Sequence, residues 1–165
     1  MNLFKKLFTK SYLNSMAILL VIGFGIYYYN IDPLDISLDT PAHTIKDHIK
    51  PDKVLIVSFW ASWCQYCINE IGVLKQFKHQ HPDIDILGLK VDNGDAGDIL
   101  HNTEYQNIDA SLHGAQIMQL FGNYTAALPF TIILENHRSK TLLGETTPED
   151  LEQNVSAIQN AQNKL

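Results

Sequence analysis

Cysteine is nearly absent from this chain. Its 165 residues hold two, Cys64 and Cys67, too few for the disulfide framework of a small secreted scaffold. No second pair joins them and the seven histidines are scattered, so a four-ligand zinc set is not completed. Ile68 stands where covalent haem attachment requires histidine. A disulfide closing so short a loop would stabilise little as a staple. Asp92, Asp95 and Asp98 around Gly94 lack the ligand series and bidentate Glu of a calcium loop. Internal repeats and low-complexity tracts are missing as well. No metal site and no cofactor are expected.

Charge is missing from Ser11 to Ile31, 21 consecutive positions with an apolar heart from Met16 to Tyr29. As a helix this stretch rises about 31 Å, close to the ~30 Å of a bilayer core. Lys5, Lys6 and Lys10 precede it and acidic residues follow, which orients the N-terminus to the cytoplasm. Tyr27, Tyr28 and Tyr29 occupy the place of a small-residue cleavage site and fit an outer interfacial belt. No cysteine lies nearby for lipoprotein processing. The reading is an uncleaved signal anchor: residues 1–10 a cytoplasmic N-terminus, 11–31 a transmembrane helix, 32–52 a linker and N-terminal extension, and 53–165 one domain outside the cytoplasmic membrane. The whole part after the anchor, residues 32–165, holds nine of the 12 basic residues and all 18 acidic ones. Its balance excludes nucleic acid and anionic lipid surfaces as partners.

The cysteines are informative because of their position. Cys64-Gln65-Tyr66-Cys67 directly follows Val54 to Ala61, a run of β-branched and aromatic residues without charge. That run reads as a strand buried on both faces. From Cys64 to Gln80 the pattern turns helical, with Ile68, Ile71, Leu74 and Phe77 on one stripe. Cys64 then lies at the helix start, where free N–H groups and the helix dipole stabilise a thiolate. Cys67 falls one turn later and closer to the interior, placed to resolve a mixed disulfide. A C-x-x-C at a strand–helix junction is the form of a redox-active dithiol.

The remaining pattern gives a coarse order of elements. A short strand is expected around 36–38 and a turn or short helix over 44–49. His81-Pro82-Asp83 breaks the first helix, and His79 and His81 are expected to be solvated. A second core strand covers 84–91, a weak helix runs from Asp95 to about Tyr105, and a further helical stretch spans 113–121. A strand over 131–134 pairs with one over 141–144 across Asn136-His137. Thr147-Pro148-Glu149-Asp150 is a strong helix start, and that helix runs to about Gln162. The order βαβα…ββα implies a mixed α/β sheet with helices on both faces.

Phe59-Trp60-Ala61-Ser62-Trp63-Cys64-Gln65-Tyr66-Cys67 closely resembles the active-site signature of thioredoxin-fold proteins. It looks most like the TlpA/ResA-like branch of membrane-tethered thiol-disulfide oxidoreductases, over roughly residues 35–160. Leu128-Pro129-Phe130-Thr131-Ile132-Ile133-Leu134 matches the family's proline that opens a core strand. The resemblance implies that this proline is cis, that its loop packs beside the C-x-x-C, and that Leu128 offers backbone groups to a substrate strand. It also implies a role for Glu70, three residues after Cys67, in raising thiol pKa values and shuttling protons. Trp63 beside Cys64 offers an apolar contact surface, and Tyr66 joins it. Departures are instructive. Ser58 replaces the buried Asp of cytosolic thioredoxins. Gln65-Tyr66 lacks the common Pro before the second cysteine, and Gly72 replaces a kinking Pro. Tyr66 here resembles periplasmic disulfide isomerases more than reductases.

The resemblance implies a reductase whose catalytic residues are Cys64, Cys67 and Glu70, with Trp63, Tyr66, Leu128 and Pro129 contacting substrate. Its partners are client proteins with thiols or disulfides, as in cytochrome c maturation, and a membrane thiol electron donor. A disulfide oxidase or isomerase is the alternative within the class. A non-catalytic copper-binding or assembly module is the alternative outside it, since copper(I) accepts two thiolates.

Overall fold

A computed structural model describes residues 15–27, 32–36, 44–100, 104–136 and 138–161. The chain divides into two units, Met1–Asp32 and Pro33–Leu165. In the first, residues 15–27 form helix α1, whose apolar side chains are exposed. No helix among the described residues is long and apolar enough to cross a membrane. The ends of the expected span, 11–14 and 28–31, lie outside the described residues.

The second unit is built on a five-stranded sheet of order β3-β2-β1-β4-β5. Its strands are β1 (Val54–Trp60), β2 (Asp85–Lys90), β3 (Gln106–Asp109), β4 (Phe130–Glu135) and β5 (Arg138–Leu143). β1, β2 and β3 run parallel, and β4 lies antiparallel to both β1 and β5. All seven residues of β1 are buried, as expected of its unbroken apolar run. Alternate side chains face opposite sides of the sheet. Val54, Ile56 and Trp60 pack with Ile71, Leu74 and Phe77 of α2 (Gln65–Gln80) and with Leu151, Val155 and Ile158 of α4 (Pro148–Asn160). Leu55, Val57 and Phe59 pack with Ile117 and Met118 of α3 (Gly114–Leu120) and with Ile45 of a 3-10 turn, Ile45–His48. The sheet is therefore mixed and covered on both faces, as the element order implied.

Local chemistry sets the element ends. Thr147 and Asp150 cap α4 reciprocally: Asp150 N donates to Thr147 Oγ1 at 3.1 Å and Thr147 N to Asp150 Oδ2 at 3.1 Å, with Pro148 in the first turn. β5 begins three residues earlier than expected, because the turn closes at Asn136 (φ 53°). The expected helix from Asp95 is replaced by a 3-10 turn, Gly97–Leu100; residues 101–103 lie outside the described set, and β3 follows where no strand was expected. β3 is an edge strand of four residues with one buried side chain, Ile108. Its pairing comes from the backbone of β2. Of the expected strand at 36–38, Ile36 is a bend and the other two residues lie outside the described set. His81 is not simply solvated: it stacks on Phe77 and meets Glu152 Oε1 at 2.5 Å.

Leu74 is fully buried between α2 and the sheet. Leu74→Ala is expected to cost about 3 kcal/mol through lost transfer and a residual cavity, read as a lower urea midpoint with an unchanged slope.

Candidate active site

β1 delivers the chain to the C-terminal edge of the parallel strands, where it turns into α2. Cys64 N donates to Ala61 O at 3.0 Å, closing that turn. Cys64 is the N-cap of α2, and its Sγ accepts from Cys67 N at 3.2 Å. An N–H aimed at sulfur at a helix start favours negative charge on that atom. Cys64 and Cys67 form a disulfide with Cα atoms 5.2 Å apart. Cys67 is 0% exposed and Cys64 6%, so the first cysteine keeps a small accessible face while the second is sealed in the core. Trp63 and Tyr66, 72% and 64% exposed, flank that face.

The Leu128–Pro129 peptide is cis, as the resemblance implied. Leu128 packs against the apolar cluster that contains both cysteines, and β4 starts at Phe130. The loop before it is held by buried Asn123, whose Nδ2 donates to Ala127 O at 2.8 Å and whose Oδ1 accepts from Ala127 N at 3.1 Å.

Glu70 lies one turn beyond Cys67 on α2 and is 0% exposed. Ser58 Oγ of β1 donates to Glu70 Oε2 at 3.1 Å, and Thr131 Oγ1 of β4 to Oε1 at 3.4 Å. Ser58 and Thr131 are cross-strand partners, so two adjacent strands hold one carboxyl. The Thr146 hydroxyl is buried near it but outside hydrogen-bond geometry. Burial raises the Glu70 carboxyl above its ordinary value of 4.5, and the polar groups of Thr146, Ser58 and Thr131 oppose that shift without cancelling it. Burial, and then the Glu70 charge, push the Tyr105 phenol up as well. Ser58, a hydroxyl on the strand, thus donates to a carboxyl carried by the helix.

Sequence reasoning passed over Lys90 and weighed Asp92 only as a calcium ligand. Lys90 ends β2 and is 2% exposed. Its Nζ donates to the Asp92 carbonyl and lies 3.4 Å from Asp92 Oδ1. Asp92 accepts from Ser62 N at 3.1 Å and from Ser62 Oγ at 2.6 Å, inside the turn that leads to Cys64. Burial works against ionising Asp92, but donors from Ser62 and Gly94, with the Lys90 charge, outweigh it and hold the carboxyl below the usual range. The available signal was a lone lysine in the apolar run 84–91.

A model of the thioredoxin family matches residues 38–109. Thioredoxin-1 of Saccharomyces cerevisiae is 29% identical over 83 residues, 48% of this chain and 79% of that protein. A thioredoxin-related protein from Neisseria meningitidis serogroup B superposes with a TM-score of 0.61 at 22% identity, covering 76% of this chain and 97% of its own. A secreted Mycobacterium tuberculosis disulfide oxidoreductase homologous to E. coli DsbE gives a TM-score of 0.57 at 17% identity, covering 76% and 97%. The fold is that of thioredoxin. With its cysteine pair at the start of α2, the chain is a thioredoxin-like thiol-disulfide oxidoreductase.

The raised Glu70 carboxyl has a consequence for stability. The unfolded chain ionises this group first, so stability is full below the ordinary value of 4.5 and falls as pH rises towards the higher folded value. Glu70→Gln removes that loss. The variant is expected to be more stable than wild type at neutral pH, with the advantage vanishing below about pH 4.5. Urea unfolding at the two pH values checks this; an equal difference at both would refute it.

Proposed function

We propose that this protein is an exported, membrane-tethered oxidoreductase of the TlpA/ResA-like kind that reduces disulfides of client proteins outside the cytoplasmic membrane. The observation that carries the thiol-disulfide exchange is Cys64 Sγ at the N-cap of α2, receiving the Cys67 N–H while its partner sulfur is sealed behind it; the reductive direction rests on the resemblance to that branch. Support for export comes from the uncharged stretch 11–31 behind Lys5, Lys6 and Lys10. In this reading 11–31 is the anchor, 32–52 the linker and 53–165 the catalytic domain.

The Cys64 thiolate attacks one sulfur of a client disulfide. The client's other sulfur leaves as a thiolate and takes a proton from solvent. Cys67 then gives its thiol proton to the Glu70 carboxylate and attacks Cys64 Sγ. The mixed disulfide breaks, the second client sulfur leaves, and the Cys64–Cys67 disulfide forms. The client gains two electrons and the pair loses two. A membrane thiol donor returns the pair to its dithiol state. Trp63 and Tyr66 supply apolar contact to the client, and Leu128, set by Pro129, offers backbone groups to its extended strand. Clients of this chemistry include apocytochrome c, a copper-site protein or proteins with misoxidised cysteines.

With dithiothreitol as donor, the wild-type protein is expected to accelerate insulin disulfide reduction and Cys64→Ser to reduce it to the uncatalysed rate. Cys67→Ser is expected to accumulate mixed disulfides with clients in cells. No difference between wild type and Cys64→Ser would favour the copper-binding module instead. A reduction potential at or above that of glutathione would make the protein an oxidase or isomerase.

A further inference from the structure

We infer that Lys90, acting through Asp92, is a positioning residue for the turn that presents Cys64; this rests on the assignment of Cys64 as nucleophile. Lys90 lies in register with Trp60, the last residue of β1, and Val91 N donates to Trp60 O at 2.9 Å. A lysine side chain this buried has lost its water, and other polar groups must take that water's place. Here Asp92 does so with its carbonyl and with Oδ1, and Asp109 Oδ2 lies 3.7 Å away. Asp109 Oδ1 accepts from Ser111 N at 2.9 Å. One buried cation thus ties together the loops that leave β1, β2 and β3 at the same edge of the sheet.

The β1 loop is the one that bears the chemistry. Ser62 is two residues before Cys64 and is held twice, through its N–H and its hydroxyl, on the two oxygens of Asp92. Asp92 Oδ2 also accepts from Gly94 N at 3.0 Å. The fit around this carboxylate is close: a Cβ on Gly94 would stand 2.0 Å from Ser62 Oγ and 2.5 Å from Asp92 Oδ2. Cys64 is fixed from the front by α2 and from behind by the Ala61–Cys64 hydrogen bond. The Lys90–Asp92–Ser62 chain fixes the segment between, and with it the placement of Sγ against the helix N-terminus. Lys90 does not touch the reacting sulfurs; it acts by holding Ser62.

The test is the pH profile of Cys64 alkylation by iodoacetamide in the reduced full-length protein, read by mass spectrometry beside thermal unfolding. Lys90→Met, Asp92→Asn and Gly94→Ala are each expected to slow alkylation at mildly acidic pH about tenfold, the equivalent of one unit in thiol pKa, while unfolding stays cooperative. Lys50→Met breaks an exposed ion pair, Lys50–Asp85 at 2.7 Å, at the other end of β2 and is expected to leave the profile unchanged. Folded variants with the wild-type profile would overturn the inference. Should Lys90→Met fail to fold, Asp92→Asn, which keeps its size and an acceptor oxygen, and Gly94→Ala decide the matter. A wild-type profile no different from an ordinary thiol would overturn the nucleophile assignment and this inference together. An acid-shifted wild-type profile shared by every variant overturns the inference alone.

Discussion

A carboxyl group inside an apolar layer has to be met by donors, and in this protein that requirement seats the catalytic helix. Glu70 reaches back from α2 to hydroxyls on two neighbouring strands, Ser58 and Thr131. Apolar contacts of Ile71, Leu74 and Phe77 press α2 onto the sheet, but such contacts are non-directional. The hydrogen bonds to Glu70 fix the rotation of the helix about its axis. With that rotation set, Cys67 must face inward and Cys64 must cap the helix at the edge of the core.

The site then follows from two turns at one edge of the sheet. The first carries Cys64 out of β1, and the second brings Leu128 and Pro129 into β4. The first is braced by half-buried Asp92 from the loop after β2, the second by buried Asn123 from within its own loop. Trp63 and Tyr66, on either side of Cys64 in the chain, are left exposed. The division of labour between the sulfurs comes from this seating rather than from any difference in their covalent chemistry.

Much of this was legible in the residues. The run Val54 to Ala61 could only be a strand buried on both faces, and the Thr147-Pro148-Glu149-Asp150 start of α4 carries its capping chemistry in its own side chains. The helix after Cys64 announced itself by its apolar spacing. β3 was not legible, because Gln106-Asn107-Ile108-Asp109 has little intrinsic strand character and pairs through its backbone to β2. The Glu70 site was half legible. The resemblance points to the acid, but its donors come from strands distant in sequence. Lys90 was hidden for a related reason: its partners Asp92, Asp109 and, through Asp92, Ser62 converge only once three parallel strands have aligned.

The two outer strands carry a further consequence. β3 is four residues long and mostly polar, and β5 exposes Ser139, Lys140 and Thr141 along its length. Short or charged margins are poor templates for recruiting another chain's backbone. For a thiol-disulfide oxidoreductase, whose chemistry sets it against other proteins, such edges disfavour backbone pairing with whatever it touches. Contact is left to the sulfur edge, where the bond formed can be broken again.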